Sequence, residues 1–255
     1  MPTALITGAT AGLGAEFAAQ LAAKGYGLVL VARDTDRLAK TSADLTARFG
    51  VAVETIEADL VTDAGCEAVV GRISDVQRPI DMLINNAGFG MYKHFGAGDI
   101  ADEERQLDLN VRAVLRLSHA AVRAMTGRNS GQIVNISSVS AFVPRGSNAT
   151  YSASKAWVTM FTEALSVQLQ GSGVTATAIH PGFTHTEFHE RANADMSHVP
   201  DRMWLDAADV VREGLDDVAK GKPVSVPSRQ YKTLVSASRS LPRPILRRIM
   251  ARRSF

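Results

Sequence analysis

The chain has one cysteine and no long apolar run. Cys66 is the single cysteine among 255 residues, which excludes an internal disulfide framework and suits a reducing compartment. Each apolar run is shorter than the ~18 residues that a membrane-spanning helix needs, and the first residues lack the basic and then apolar pattern of a signal peptide. We therefore expect a soluble protein of the cytoplasm.

Internal repeats, low-complexity tracts and interdomain linkers are also missing. Hydrophobic residues make up 45% of the chain and charged residues 21%, a composition typical of a globular protein. A chain of this length can bury a sizeable core as one domain. We therefore predict a single domain.

Acidic residues are absent from the last part of the chain. The whole chain has a formal net charge of +2 and 229–255 contributes +8, so the remainder carries −6. The change in charge at residue 229 separates a mildly acidic domain, 1–228, from a basic tail, 229–255. The eight basic residues of the tail are Arg229, Lys232, Arg239, Arg243, Arg247, Arg248, Arg252 and Arg253.

Short apolar runs alternate with helical patterns along the domain. The runs typical of buried strands lie at 4–6, 28–32, 51–58, 81–85, 132–137, 174–180 and 223–226. The helical patterns lie near 12–25, 34–49, 62–76, 100–126, 152–170 and 206–220. Strands that alternate with helices predict an α/β fold, a doubly wound parallel sheet covered by helices on both faces in three layers.

The stretch TGATAGLGAE, 7–16, follows the first strand and opens the first helix. Its glycines, Gly8, Gly12 and Gly14, allow a sharp turn and a close approach of the backbone. In a doubly wound sheet, such a turn directs backbone N–H groups and the positive end of a helix dipole at a phosphate. The same glycines could instead serve a flexible turn packed closely against the sheet. Their position in the first strand-turn-helix unit favours a dinucleotide.

The end of the second strand is basic, where an NAD-binding protein would place an acidic residue for the ribose hydroxyls. Arg33 follows Ala32 there, and a guanidinium suits the 2′-phosphate of NADP. Arg33 could equally be a solvated surface residue. Asp59, just after the third strand, is placed either to reach the adenine edge or to cap the next helix. We predict NADP rather than NAD as the cofactor.

The stretch SSVSAFVPRGSNATYSASK, 137–155, contains the candidates for catalysis. Tyr151 and Lys155 are four residues apart on a predicted helix and therefore share a face. A nearby ammonium lowers the pKa of a phenol from about 10 and lets it exchange a proton with a carbonyl or alcohol oxygen. Ser138, at the end of the fifth strand, could hydrogen-bond the same oxygen. An exposed tyrosine and lysine at a helix start is the alternative interpretation.

The chain resembles the short-chain dehydrogenase/reductase family over about 3–226, because several motifs of that family occur in the same order. Ser138 lies 13 residues before Tyr151, the interval usual in that family. The motifs that carry the resemblance are TGxxxGxG at 7–14, Asn85-Asn86-Ala87-Gly88, Asn110, Ser138, Tyr151 with Lys155, and Pro181-Gly182. The resemblance implies a Rossmann-fold oxidoreductase that uses NAD or NADP and acts on CH–OH groups.

The resemblance also implies a role for each motif residue. Tyr151 is expected as the acid/base, and Lys155 as the group that lowers its pKa and holds the nicotinamide ribose. Ser138 is expected to orient the substrate carbonyl, and Asn110 to hold a water of the proton relay. The residues implied in cofactor binding, besides Tyr151 and Lys155, are Gly8, Thr10, Gly12, Leu13, Gly14, Arg33, Asp59, Leu60, Asn86, Ala87, Gly88, Pro181, Gly182, Thr184 and Thr186. Of these, Pro181, Gly182, Thr184 and Thr186 are expected to fix the nicotinamide carboxamide.

One position departs from the NADP-using members of the family, which often carry a basic residue just before the second glycine. The chain has Ala11 there. The prediction of NADP therefore depends mainly on Arg33, and NAD is kept as the second choice.

His185 and His189 are four residues apart in the stretch THTEFHE, beside Glu187 and Glu190. This spacing could place two imidazoles on one helix face for a metal ion. The HExxH motif is absent, because Thr186 follows His185. We therefore predict no metal site and interpret the histidines as surface or substrate-loop residues.

Apolar and aromatic residues cluster in the segments expected to form the substrate pocket. If several face the cleft, the substrate is bulky and apolar, such as a ketosteroid, a long-chain 3-oxoacyl group or an aromatic ketone. Packing in the core is the alternative interpretation for many of them. They are Phe89, Met91, Tyr92, Phe95, Phe142, Val143, Pro144, Phe183, Phe188, Met203 and Trp204.

Two other classes of function compete with an NADP-dependent reductase. A cofactor-binding regulatory protein on the same fold would typically have lost the tyrosine or the lysine, and both are present. Nucleic-acid binding by the tail lacks a recognised module or an aromatic stacking pattern. We expect a small carbonyl or alcohol substrate, no nucleic acid, and a homodimer or homotetramer.

The tail ends in LPRPILRRIMARRSF, in which Pro244 suits the first residue of a helix. An apolar stripe flanked by arginines follows, formed by Ile245, Leu246, Ile249 and Met250. The stripe is expected to dock on the body or on a second subunit near the substrate loop, with the arginines meeting the acidic body. The alternative is a weak, salt-sensitive contact of the tail with an anionic membrane surface.

Overall fold

The computed structural model describes residues 1–91, 93–144, 146, 149–192, 194–197 and 199–251. The strands in this part of the chain are β1 (Thr3–Thr7), β2 (Gly27–Ala32), β3 (Val53–Glu57), β4 (Met82–Asn85), β5 (Gly131–Ile136), β6 (Val174–Ile179) and β7 (Val224–Ser225). They form one parallel sheet in the order β3-β2-β1-β4-β5-β6-β7. The helices are α1 (Gly12–Ala23), α2 (Thr35–Phe49), α3 (Asp63–Ile73), α4 (Ile100–Leu107), α5 (Val114–Thr126), α6 (Ala149–Gln168), α7 (Glu187–Arg191), α8 (Ala207–Ala219), α9 (Arg229–Ser240) and α10 (Arg243–Ala251).

The inner strands are almost entirely apolar because helices cover both faces of the sheet. Along β1, Ala4 and Ile6 belong to one buried cluster, together with Phe17 of α1. Leu5 belongs to a second cluster, together with Leu117 of α5. Successive side chains of a strand point to opposite faces, so the two clusters are the two sides of the sheet. The predicted doubly wound, three-layer α/β fold is confirmed.

The strand order reverses at β1. The chain builds outward from β1 through β2 to β3 and then returns to β4 on the other side of β1. The connections that leave the carboxyl ends of β1 and β4 therefore run in opposite directions and open a crevice between them. Doubly wound sheets commonly bind ligands in such a crevice, which here lies between the loops that follow Thr7 and Asn85.

The helix predicted near 100–126 is present, but it is not α-helical throughout. It consists of α4, a π-helical turn at Asp108–Ala113, and α5. Such turns hold one extra residue and are frequent at functional sites, but the apolar periodicity of the sequence does not reveal this one. Asn110 lies in the turn and is fully buried. The other predicted elements are present, with ends that shift by at most three residues.

In the tail, α9 packs against the body. It contributes to a buried cluster formed by Phe142, Val226, Tyr231 and Val235. Two basic residues of α9 also pair with acidic residues of the body: Lys232 with Glu213 at 3.5 Å and Arg239 with Glu163 at 3.4 Å. The first half of the tail therefore combines an apolar contact with charge pairing.

The second helix of the tail, α10, begins one residue before Pro244. Its predicted apolar stripe is divided, because Leu246 is buried whereas Ile245 and Ile249 are 46% and 39% exposed. Among the described residues, no helix is both long enough and apolar enough to cross a membrane. Two of the predicted flanking arginines, Arg252 and Arg253, lie outside the described residues.

Leu246→Ala is expected to lower the free energy of unfolding by about 2–4 kcal/mol, because a buried side chain loses its apolar contacts and leaves a cavity. Ile245→Ala, on the same helix but exposed, is the matched control and should change this free energy by less than about 0.5 kcal/mol. Urea unfolding followed by circular dichroism measures both. Small, equal effects would show that α10 is not packed on the body.

Candidate active site

A cleft of about 920 Å³ opens at the carboxyl edge of the sheet, where the strand order reverses. Its volume is within the range of small-molecule and cofactor sites. The predicted site residues that line it are Gly8, Thr10, Gly12, Leu13, Arg33, Asp59, Leu60, Asn86, Ala87, Gly88, Ser138, Tyr151, Lys155, Pro181, Gly182, Thr184 and Thr186. Gly14 and Asn110 are not among the lining residues and are buried behind them.

The glycine turn is both tightly packed and open to the cleft. Gly8 and Gly12 have left-handed φ values of +65° and +52°, which favour glycine. Gly14 lies so close beneath the turn that a Cβ would be 2.1 Å from the Gly8 carbonyl oxygen. The two interpretations of these glycines are therefore compatible, with Gly14 serving the packing.

The first turn of α1 is open to an anion. Its N-cap residue is Ala11, and no described side chain caps the N–H groups of this turn. The turn also holds no acidic residue. Unsatisfied N–H groups and the positive end of the helix dipole therefore face the cleft, an arrangement that suits the pyrophosphate of a dinucleotide.

The Asn86 side chain stabilises the glycine turn. Its Nδ2 donates to the carbonyl oxygen of Thr7 at 2.9 Å and to that of Gly8 at 3.3 Å. In return, the Thr7 Oγ1 accepts hydrogen bonds from the backbone N–H groups of Asn86 and Ala87, both at 2.9 Å. The β4 loop thus holds the β1 loop in the conformation that exposes its N–H groups.

Arg33 reaches the part of the cleft that follows β2, with 65% of its side chain exposed. Its Nη1 lies 4.0 Å from the Asp59 Oδ2. The N-cap of α3 is Thr62, so the interpretation of Asp59 as the cap of that helix is wrong. Asp59 accepts a hydrogen bond from the Val61 N–H instead, at 3.1 Å. A cation and an acceptor lie side by side in this part of the cleft.

Arg37, at the start of α2, lines the same cleft, although no motif in the sequence points to it. Its Nη1 donates to the Glu187 Oε2 at 3.0 Å, across 150 positions of sequence. Hydrogen bonds from Arg37 and Arg191 hold the pKa of the Glu187 carboxyl below its usual range. Because α2 follows β2 and α7 follows β6, this ion pair joins two walls of the cleft.

Ser138, Tyr151 and Lys155 line the side of the cleft that follows β5. Tyr151 and Lys155 share a face of α6, and the Lys155 Nζ lies 5.6 Å from the centroid of the Tyr151 ring. Ser138 follows the end of β5, where its Oγ accepts a hydrogen bond from the Ser140 N–H at 3.1 Å. A phenol, an ammonium and a hydroxyl therefore line the same cleft, a combination of groups that suits proton exchange with a substrate oxygen.

The Lys155 ammonium is buried and hydrogen-bonded. Its Nζ donates to the carbonyl oxygen of Ile136, the last residue of β5, at 2.8 Å. Burial lowers the pKa of Lys155 to about 8, because removal from water disfavours the charged form. The group is therefore still largely protonated at neutral pH and places a positive charge beside Tyr151.

Asn110 fixes the loop that carries Gly88. Its Oδ1 accepts a hydrogen bond from the Phe89 N–H at 3.1 Å, and its Nδ2 donates to the Phe89 carbonyl at 2.9 Å. A Cβ at Gly88 would lie 2.9 Å from the Asn110 Oδ1 and 3.4 Å from the Lys155 Nζ, so only glycine fits. The water-holding role implied for Asn110 stays a prediction.

A buried chain of hydrogen bonds lies behind α6. The Ser137 Oγ donates to the Lys155 carbonyl at 2.8 Å, and the Thr159 Oγ1 lies 3.0 Å from the His180 Nε2. The His180 Nδ1 is 3.2 Å from the Ser225 carbonyl oxygen. Because a carbonyl only accepts, the neutral imidazole carries its proton on Nδ1. Burial lowers the pKa of His180 to about 4, and no sequence motif indicated this residue.

Only some of the residues predicted for the apolar substrate pocket line the cleft. The aromatic residues that line the cleft are Phe89, Phe183 and Phe188. The Phe188 ring packs on the Tyr151 ring with centroids 5.8 Å apart, whereas Phe142 belongs to the α9 cluster and Phe95 is 66% exposed. The other residues predicted for the pocket that do not line the cleft are Met91, Val143, Pro144, Met203 and Trp204. Tyr92 lies outside the described residues.

The two histidines of the loop pack against one tryptophan. The His185 ring stacks on Trp204 at a centroid distance of 4.8 Å, and His189 meets the same ring edge-on at 5.2 Å. Over the described ranges, no group of three or more His, Cys, Asp or Glu side chains is arranged to hold a metal ion. His189 also lines the cleft, so the interpretation as substrate-loop residues agrees with the packing.

Comparison with known proteins agrees with the family resemblance of the sequence motifs. A family model described as short chain dehydrogenase matches residues 2–197. Sulfoacetaldehyde reductase 2 of Chromohalobacter salexigens is 34% identical over 186 residues, which are 72% of this chain and 73% of that protein.

Two solved structures resemble the whole fold. A short-chain dehydrogenase from Sphingobium yanoikuyae in complex with NADPH has a TM-score of 0.86 and 35% identity, and the match covers 94% of each chain. The bulky-bulky ketone specific alcohol dehydrogenase from Comamonas testosteroni has a TM-score of 0.81 and 30% identity, over 95% of this chain and 96% of that chain.

The free energy of unfolding is expected to fall by about 2–4 kcal/mol as the pH is lowered from 6.5 to about 4. In this window the unfolded His180 binds a proton, whereas the buried imidazole stays neutral, so stability rises with pH and is lost on acidification. His180→Gln removes the titrating ring and should flatten this part of the profile. Urea unfolding at several pH values measures both proteins, and parallel profiles would contradict the assignment.

Proposed function

Because the chain belongs to the short-chain dehydrogenase/reductase family and is an oxidoreductase, we propose that it reduces a bulky, apolar ketone to a secondary alcohol with NADPH. The observation that carries the proposal is a single cleft in which Ser138, Tyr151 and Lys155 share one side and an open glycine turn lies on another. The first group suits proton transfer, and the turn suits a dinucleotide phosphate.

In the proposed reaction, Tyr151 is the proton donor. Its hydroxyl gives a proton to the carbonyl oxygen of the substrate. NADPH, held by the glycine turn and Arg33, would supply the hydride that the carbonyl carbon needs. Ser138 donates a hydrogen bond to the same oxygen and so orients the carbonyl. The Lys155 ammonium, held by the Ile136 carbonyl, stabilises the phenolate left on the tyrosine. Oxidation of the alcohol follows the same steps in reverse.

The preference for NADPH is supported by the charge around the adenosine side of the cleft. The Arg33 guanidinium is exposed and only loosely paired with Asp59, so it can bind a 2′-phosphate through charge-assisted hydrogen bonds. Arg37 also lines the cleft, but its charge is paired with Asp34 and Glu187, so the preference depends on Arg33. The similar structure from Sphingobium yanoikuyae holds NADPH, which agrees with this preference even though Ala11 departs from the usual NADP pattern.

The proposed substrate follows from the aromatic residues that line the cleft. These are Phe89, Phe183 and Phe188, and Phe188 packs on the proposed acid. An apolar wall selects an apolar substrate, because burial of apolar surface stabilises the complex. A ketosteroid, a long-chain 3-oxoacyl group and an aromatic ketone all have this character. The similar enzyme from Comamonas testosteroni is described as specific for bulky-bulky ketones.

We also infer a homodimer or homotetramer. The support is apolar surface on α6, where Met160 and Val167 are 68% and 65% exposed. A weak membrane contact of the tail stays a prediction, motivated by the exposed Ile245 and Ile249. A regulatory protein without turnover is not favoured, because such a protein has no need for the buried ammonium beside Tyr151.

Tyr151→Phe is expected to lower kcat by about 10²–10⁴-fold, because the ring stays but the proton donor is removed. The assay uses the best substrate from a panel of ketones and alcohols tested with each nicotinamide. NADPH fluorescence should report unchanged cofactor binding. Tyr26→Phe, a tyrosine before β2 and outside the cleft, is the control. Undiminished turnover by the Tyr151 variant would exclude the mechanism.

Arg33→Ala is expected to weaken NADPH binding by about 1.5–3 kcal/mol, because a hydrogen bond to a charged group is lost. The affinity for NADH should stay almost unchanged, because NADH has no 2′-phosphate. Arg48→Ala is the control, because Arg48 lies in the last turn of α2 and pairs with Asp44. This change should alter the binding of neither cofactor. Fluorescence titration of both cofactors gives the dissociation constants. Equal losses for the two cofactors would mean that Arg33 does not bind the 2′-phosphate.

A further inference from the structure

The segment 183–205, which carries α7, leaves the sheet and returns to its starting point. The Leu205 N–H donates to the Phe183 carbonyl at 2.8 Å, and the His185 N–H donates to the Leu205 carbonyl at 3.0 Å. The two ends of the segment are therefore held side by side. Between them lie Thr184, Thr186 and Phe188, all of which line the cleft. The position of the base of this loop decides where these side chains lie.

One side chain from the tail bonds both ends of the loop. The Tyr231 Oη accepts a hydrogen bond from the Phe183 N–H at 3.1 Å and donates one to the Met203 carbonyl at 2.8 Å. The neighbouring residue on α9, Gln230, has its Nε2 2.7 Å from the Met203 Sδ. Tyr231 is only 2% exposed, and a buried phenol that both donates and accepts is held in one orientation.

The Tyr231 ring also rests on the backbone just before the loop. A Cβ at Gly182 would lie 2.2 Å from the Cε2 and Cζ of this ring, so the phenol packs directly on the Gly182 Cα. Gly182 lines the cleft, as does Pro181 before it. The ring and the hydroxyl of one residue thus fix three successive parts of the wall: Gly182, Phe183 and the return at Met203.

We propose that Tyr231 is a positioning residue of the active site. It acts through Gly182 and Phe183, and so holds Thr184, Thr186 and α7 at the nicotinamide side of the cleft. The inference rests on the proposed function and extends it: the basic tail is a part of the catalytic unit. The rest of α9 has the separate task of attaching the helix, through Val235 in the buried cluster and Arg239 on Glu163.

The test separates loop positioning from simple packing. Tyr231→Phe keeps the ring on Gly182 but removes both hydrogen bonds to the loop. Val235→Ala, one helical turn later, destabilises the same helix without touching those bonds. Two ligands are titrated: NADPH, and adenosine 2′,5′-bisphosphate, which has the adenosine phosphates but lacks the nicotinamide. Thermal unfolding of each protein records the general loss of stability.

Tyr231→Phe is expected to raise the dissociation constant of NADPH by about three- to tenfold, the effect of one or two net hydrogen bonds, and to leave that of the bisphosphate unchanged. Val235→Ala should lower the melting temperature and change neither constant. Equal losses for both ligands, no loss in the tyrosine variant, or the same selective loss in Val235→Ala would overturn the inference and leave the proposed function intact. Failure of the unsubstituted protein to bind either ligand would overturn both.

Discussion

The hydrogen bond from the Lys155 ammonium to the Ile136 carbonyl is the contact on which the site depends. A buried cation is costly unless its N–H groups are satisfied, and here the last residue of β5 supplies the acceptor. The bond joins the middle of α6 to the edge of the sheet. Because Tyr151 is one helical turn before Lys155, the same contact sets the place of the phenol. Ser138, two residues after Ile136, is positioned by the strand itself.

Buried polar groups between α6 and the sheet help to hold Lys155 in this position. Ser137 donates to the Lys155 carbonyl, and the neighbouring Thr159 hydroxyl donates to the unprotonated Nε2 of His180. His180 in turn contacts the Ser225 carbonyl of β7. The helix is therefore tied to three neighbouring strands by directional bonds as well as by apolar packing. Satisfied buried networks of this kind specify one arrangement, because any shift would leave a polar group without its partner.

The walls of the cleft come from parts of the chain that are far apart in sequence. Arg37 on α2 pairs with Glu187 on α7, and the next residue, Phe188, packs on Tyr151. The cofactor side and the substrate side are thus joined through two adjacent residues of one short helix. Tyr231, from the tail, holds the base of the same loop. The proposed catalytic tyrosine therefore contacts a loop that α2 and the tail hold in place.

Local sequence patterns were sufficient for the fold and for several of the side chains that line the cleft. The alternation of short apolar runs with helical periods determines a parallel sheet, because βαβ units bury both faces. Gly8 and Gly12 are recognisable because only glycine adopts their backbone conformation at low cost. The spacing of Tyr151 and Lys155 places them on one face of any helix they form. These features depend on residues within a few positions of one another.

Only the tertiary structure decided the contacts between distant segments. The π-helical turn around Asn110 leaves no trace in apolar periodicity, and the partner of Asn110 is a backbone loop 21 positions away. His180, the Arg37–Glu187 pair and Tyr231 belong to no local motif, because their roles arise where loops from different strands meet at the edge of the sheet. Which aromatic side chains face the cleft was decided in the same way. Their sequence shows that they are apolar, but the direction of a loop depends on what it packs against.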